Sequence, residues 1–196
     1  MQELRTTILE QGKCVGDSIV KVDMFLNHRL DTHLMFEMGQ ALADYFRAER
    51  PDVVLTVEAS GIAIALTAAH ALGDIPVVFA KKSKASNQGD DMLTAVAHSF
   101  THGNDNTLRV DRRYLPAGSR VLVVDDFLAD GEASRALISI VEQAGCTLAG
   151  VGIAIEKGFQ GGGDRLRAMG VDYHALAVID KADENGIVFR KDEDDE

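Results

Sequence analysis

A chain of 196 residues is long enough for one domain with a sizeable core, and 46% apolar with 26% charged residues is an ordinary globular balance. A net charge of −11 excludes a broad nucleic-acid or anionic-membrane face, but leaves room for a local pocket that takes a small anion. No apolar run approaches the ~18 residues of a membrane span. Met1-Gln2-Glu3-Leu4-Arg5 lacks the basic-then-apolar pattern of an export signal, and two distant cysteines, Cys14 and Cys146, read as reduced thiols in the cytoplasm.

In chain order, Leu4 to Gln11 spells a short helix ended by Gly12, and Ser18 to Lys21 an extended piece. Val22 to His28 is a mixed connection. A longer helix is expected from about Asp31 to Arg47, with Asp31 as its N-cap and Leu34, Met35, Met38, Leu42, Tyr45 and Phe46 as its buried stripe. Pro51 stops it. Val53 to Val57 reads as a strand, Glu58-Ala59-Ser60-Gly61 as a turn, and Ile62 to Leu72 as a helix closed by Gly73. Pro76 introduces a second strand, Val77 to Ala80. Met92 to Phe100 and Thr107 to Val110 form a hairpin around His102-Gly103-Asn104-Asp105-Asn106. Val121 to Val124, Leu148 to Ile155 and Tyr173 to Val178 supply three more strands, with helices at Glu132 to Ala144 and Gly163 to Met169. Strands alternating with helices give an α/β fold, a doubly wound, mainly parallel five-stranded sheet. The chain reads as a single domain over residues 1–191. Asp192 to Glu196 is an acidic, disordered tail.

Ligands in such sheets sit at the carboxyl ends of the strands. Four loops there carry chemistry. After Val121 to Val124 come Asp125 and Asp126, then Ala129-Asp130-Gly131-Glu132-Ala133 opening a helix. The free N–H groups and dipole of a first helical turn attract a phosphate, Gly131 lets the backbone approach it, and the acid pair sits where two neighbouring hydroxyls can be gripped. Ser60 and Gly61 form a second anion-binding turn. Lys81, Lys82 and Lys84, ahead of the polar run Ala85 to Asp91, are the densest positive charge in the chain and suit a diphosphate. In Glu156-Lys157-Gly158-Phe159-Gln160, Lys157 is placed to donate to a carbonyl and Phe159 offers a face to a flat heterocycle. No metal-ligand spacing is visible.

The strand, acid pair and loop Val121 to Ala133 resemble the phosphoribosyl diphosphate (PRPP) motif of type I phosphoribosyltransferases. Lys21-Val22-Asp23-Met24-Phe25-Leu26-Asn27-His28, Glu58 to Ile62, Asp125-Asp126-Phe127-Leu128-Ala129 and Ile155 to Gln160 extend the resemblance over nearly the whole chain. Together they are similar to the bacterial xanthine phosphoribosyltransferases of the Bacillus type. The resemblance implies transfer of a phosphoribosyl group from PRPP to xanthine, giving XMP and diphosphate in purine salvage. It implies Asp125 and Asp126 at the ribose hydroxyls and Ala129 to Ala133 at the 5′-phosphate. A hood over the purine would include about residues 14–30, with Val20 and Asn27, and Lys157 would contact the base. Mg²⁺ on the diphosphate, a homodimer, and strands of the 92–110 region as part of the hood follow from the same resemblance. Adenine or hypoxanthine/guanine specificity is the alternative within the family, and a non-catalytic PRPP sensor the alternative outside enzymes. One departure stands out. Many type I members have Thr, and the xanthine group often Asn, where this chain has Asp130, and Glu132 adds a second carboxylate nearby.

Overall fold

The computed structural model describes residues 1–16, 19–83, 91–98 and 106–191. Ser18, Lys84, the polar run as far as Asp90, Ser99 and Phe100, His102 to Asp105 of the expected hairpin loop, and the acidic tail expected to be disordered therefore lie outside the described residues. A central six-stranded sheet has the order β10-β9-β8-β7-β3-β4. Five of its strands are parallel: β3 (Val53–Val57), β4 (Val77–Ala80), β7 (Arg120–Leu128), β8 (Thr147–Lys157) and β9 (Tyr173–Asp183). The sixth, β10 (Gly186–Phe189), adds an antiparallel edge through the turn at Glu184 and Asn185 and was not anticipated.

The strand pattern divides the core. Val54, Leu122 and Val124 face one side, where α1 (Gln2–Gln11), α2 (Thr32–Phe46) and α3 (Gly61–Ala71) pack. Val53, Leu55, Val121 and Val123 face the other, under α4 (Glu132–Gln143) and the hairpin β5 (Met92–Ala97) and β6 (Asn106–Asp111). Alternate residues of a strand point to opposite faces, so continuous apolar runs mark strands covered on both. Asp31 caps α2 as expected, its Oδ1 accepting the Leu34 N–H at 3.2 Å. The stripe is buried at Leu34, Met35, Met38, Leu42 and Phe46. Tyr45 is the exception: it is exposed, stacks on His174 at 4.1 Å and donates to Asp172 at 3.1 Å.

Three local details differ from the sequence reading. A short strand β1 (Lys13–Val15) pairs antiparallel with β2 (Ile19–Lys21), and Asp23–Asn27 winds into a π-turn that buries Phe25 and Leu26. The acid pair does not follow its strand but lies within it, because β7 keeps pairing with β8 through Phe127↔Ile155 and Leu128↔Glu156.

From the central pair β3 and β7 the connections run in opposite directions, to β4 through α3 and to β8 and β9 through α4 and α5 (Gly162–Ala168). The carboxyl ends of β3 and β7 thus form a topological switch point, where α/β sheets hold their ligands.

Candidate active site

At that switch point Asp125 is only 3% exposed. Its Oδ1 accepts the Asp126 N–H at 3.0 Å. Burial pushes its carboxyl well above the usual carboxylate range, the neighbouring Asp126 charge adds to the rise, and the Lys82 ammonium partly opposes it. Asp126 is half-buried and opens to the cleft. On the adjoining strand the Thr56 hydroxyl is buried and finds no hydrogen-bond partner among the described residues. Gly61, at the start of α3, closes over both groups: a Cβ there would lie 2.2 Å from Thr56 Oγ1 and 2.6 Å from Asp125 Oδ1.

The loop after β7 leads into α4. Gly131 precedes the helix at φ +90°, a conformation open to glycine at no steric cost. The Asp130 carboxylate turns toward the helix and accepts the Glu132 N–H at 3.2 Å. Glu132 is paired with Arg135 at 2.8 Å. Both excess carboxylates of this loop therefore have local partners. From behind, Gly162 donates to the Ala129 carbonyl at 3.1 Å and Arg165 Nη1 to the Asp130 carbonyl at 2.8 Å.

These elements enclose a cleft of about 340 Å³. Of the residues singled out in the sequence, Ser60, Lys82, Asp125, Asp126, Ala129, Asp130, Glu132 and Ala133 line it. Gly61 and Gly131 do not line it, though each adjoins residues that do. Lys81 does not line it: its N–H and C=O are bonded to Arg109 at 2.9 and 3.0 Å, and the alternation of extended chain gives the cleft to Lys82 instead. The Lys82 N–H donates to Glu58 at 2.7 Å, which draws the turn after β3, with its cis Glu58–Ala59 peptide, against the lysine.

The residues assigned to the base lie outside this lining. Val20 is 6% exposed and joins the core; Asn27 is exposed; Phe159 is 39% exposed. The Lys157 ammonium sits over the Phe127 ring, 5.5 Å from its centre, and half-burial lowers its pKa. Gln160 alone of that loop reaches the cleft. His98 and Asn106 also line it, from the adjoining ends of β5 and β6, and sequence reasoning missed them. Only the register Ala97↔Asn106 brings these hairpin ends together, a pairing that periodicity does not reveal.

Beneath the base-side loop, Glu156 is 1% exposed and accepts the Tyr173 hydroxyl at 2.8 Å. Burial and this carboxylate raise the Tyr173 pKa. No helix among the described residues is long and apolar enough to cross a membrane.

Comparison with known proteins finds relatives over nearly the whole chain. The model of the phosphoribosyl transferase domain family matches residues 29–183. A xanthine phosphoribosyltransferase of Bifidobacterium adolescentis is 46% identical over 189 residues, 96% of this chain and 98% of that one. One of Heliobacterium modesticaldum is 49% identical over 189 residues, 96% of this chain and all of its relative. Among solved structures, adenine phosphoribosyltransferase from Rhodothermus marinus superposes with a TM-score of 0.73 at 23% identity, covering 91% of this chain and 100% of that one.

Proposed function

The chain belongs to the phosphoribosyltransferase family, and on that premise we propose that it transfers the phosphoribosyl group of PRPP to N9 of xanthine, giving XMP and diphosphate for purine salvage in the cytoplasm. The observation that carries this reading is the cleft itself. An acid pair, a glycine-opened helix N-terminus and Lys82 face one another across a space fit for a ribose with phosphates at both ends. The near-full-length likeness to relatives named xanthine phosphoribosyltransferase supports the choice of base.

The roles follow from charge and reach. Asp125 and Asp126 hold the ribose hydroxyls, and Ala129 to Ala133 hold the 5′-phosphate. Ser60, Gly61 and Lys82 take the diphosphate, with Lys81 and Lys84 adding charge around it. The reaction passes through a ribosyl cation, so the protein acts by positioning, by electrostatics and by keeping water out. The base sits under a hood of residues 14–30 that carries Val20 and Asn27, against Phe159 and Lys157. Xanthine has two ring carbonyls, which suit an ammonium donor; adenine presents an amine in their place. The domain is residues 1–191, working as a homodimer.

Mg²⁺ fits the cleft as a passenger of the diphosphate. No cluster of three or more His, Cys, Asp or Glu among the described residues could hold a metal alone, whereas the Asp126 carboxylate lines the cleft with Ser60 and Lys82. When bound, the ion neutralises charge on the leaving diphosphate.

Purified protein supplied with PRPP, Mg²⁺ and xanthine should release XMP and diphosphate in equal amounts. Folded protein that makes no XMP would sink the proposal.

Two substitutions probe the roles. Asp130→Asn keeps the acceptor for the Glu132 N–H but removes a charge beside the phosphate. Like charges 4 Å apart repel by roughly 1 kcal/mol in water and ~4 kcal/mol at an effective dielectric of 20. The Michaelis constant for PRPP should fall about three- to tenfold; a constant that stays or rises counts against the repulsion. Lys157→Met keeps the apolar stem. It should lower kcat/KM for xanthine about 10–100-fold and leave the PRPP constant nearly unchanged, the loss expected when a buried partner is left unsatisfied at a cost of about 1–3 kcal/mol. Because burial lowers the Lys157 pKa, the wild-type advantage should disappear as pH rises through that lowered value, below the usual lysine range. A wild-type profile flat up to the ordinary lysine pKa would argue against protonated Lys157 as the donor.

A further inference from the structure

Arg165 stands between the two halves of the proposed substrate site. Its Nη1 donates to the Asp130 carbonyl at 2.8 Å, in the 5′-phosphate loop, and to the Gln160 carbonyl at 3.1 Å, in the turn that follows Lys157. Both carbonyls belong to residues that line the cleft. We propose that Arg165 is a positioning residue that ties the phosphate loop to the base loop, so that donor and base are held at one fixed spacing. This rests on the phosphoribosyltransferase reading above.

The platform beneath it is rigid. Gly162 packs so closely on the phosphate loop that a Cβ would lie 2.4 Å from the Ala129 carbonyl oxygen, and its N–H bonds that oxygen at 3.1 Å. One residue on, a Cβ at Gly163 would meet the buried Glu156 carboxylate at 2.4 Å, and Glu156 is itself held by Tyr173. The α5 backbone is thus seated between β7 and β8. Arg165 is exposed, so its bonds add little to global stability. Their consequence is geometric: one guanidinium nitrogen spends both of its N–H groups on carbonyls from two different loops. In a transfer between two bound substrates, a small error in the spacing of the loops acts on both.

The test combines hydrogen–deuterium exchange of the free protein with steady-state kinetics. In Arg165→Ala, amides in residues 129–134 and 158–162 should both exchange faster, with little change in melting temperature. The Michaelis constants for PRPP and xanthine should both rise, by about tenfold for a displacement of a fraction of an ångström. Arg165→Lys keeps a donor and a charge and should recover part of both. A change confined to one segment or one substrate would reduce Arg165 to a local cap and overturn the proposal, as would no change in either. Wild-type protein that turns over no xanthine, while Arg165→Ala still loosens both segments, would overturn the functional reading and leave the mechanical link standing.

Discussion

Asp125→Asn should yield a protein that melts higher than the wild type and hardly turns over. The wild-type carboxyl is buried at the end of the central strand pair, beside another carboxylate, and its pKa is raised mainly by that burial. A raised pKa means that the folded state holds the proton more tightly than the unfolded state. Stability then falls as pH climbs from the ordinary carboxylate range toward the raised value, and the deficit persists above it. Asparagine carries no charge and its Oδ1 can still accept the Asp126 N–H. The deficit is removed, with a gain of about 2–4 °C in melting temperature for each kcal/mol relieved in a chain of this size. Activity should drop about 100-fold or more, because an aligned charge at the ribosyl cation is lost. A site that weakens its fold for the sake of its chemistry behaves in this way. A lower melting temperature at neutral pH would mean that the charge is well compensated in the free protein, and retained activity would remove Asp125 from the ribose site.

Gly61→Ala should be as damaging through shape alone. The added methyl would meet Thr56 Oγ1 and Asp125 Oδ1, both closer than a carbon can approach. Neither neighbour can yield freely: Thr56 is fully buried on β3 and Asp125 is held by its bond to Asp126. The start of α3 must lift, carrying Ser60 and the diphosphate turn with it. Overpacking of this kind costs about 1–3 kcal/mol of stability. A shift near 1 Å in a catalytic group costs about 100-fold in rate. Thr56→Ala in the same chain removes one of the two clashes. The double variant should regain stability but not activity, since the clash with Asp125 remains. If Gly61→Ala keeps wild-type kcat/KM, the approach of α3 to Asp125 is looser than described.

What the sequence made legible was local and periodic. Asp31 announced its cap, Pro51 and Gly73 their boundaries, and the runs at Val53 and Val121 their two-faced strands. The acid pair and Gly131 marked the strand-to-helix turn at the cleft because that turn is written in consecutive residues. What stayed hidden depended on partners distant in sequence. β10 is only four residues long with alternate residues exposed, and pairing with β9 makes it a strand. Tyr45 lies on the helical stripe by count, yet Asp172 and His174 draw it outward. Lys81 and Lys82 are equivalent in the sequence until the pairing with Arg109 turns one away. His98 and Asn106 enter the cleft through a hairpin register, and Arg165 bears on it only by donating to the carbonyls of lining residues, which no side-chain motif records. The base-side residues carry the least local signal: Val20, Asn27, Lys157 and Phe159 lie in separate segments and do not line the phosphate cleft.

That gap makes base selectivity the decisive measurement. Initial rates of PRPP- and Mg²⁺-dependent nucleotide formation should be compared for xanthine, hypoxanthine, guanine and adenine under one set of conditions. XMP should form faster than every other nucleotide by about tenfold or more, the scale of discrimination expected when a pocket donor meets a carbonyl in one base and not in another. Preference for adenine or hypoxanthine would contradict the role given to Lys157 and to the hood, while leaving the phosphoribosyl half of the site intact.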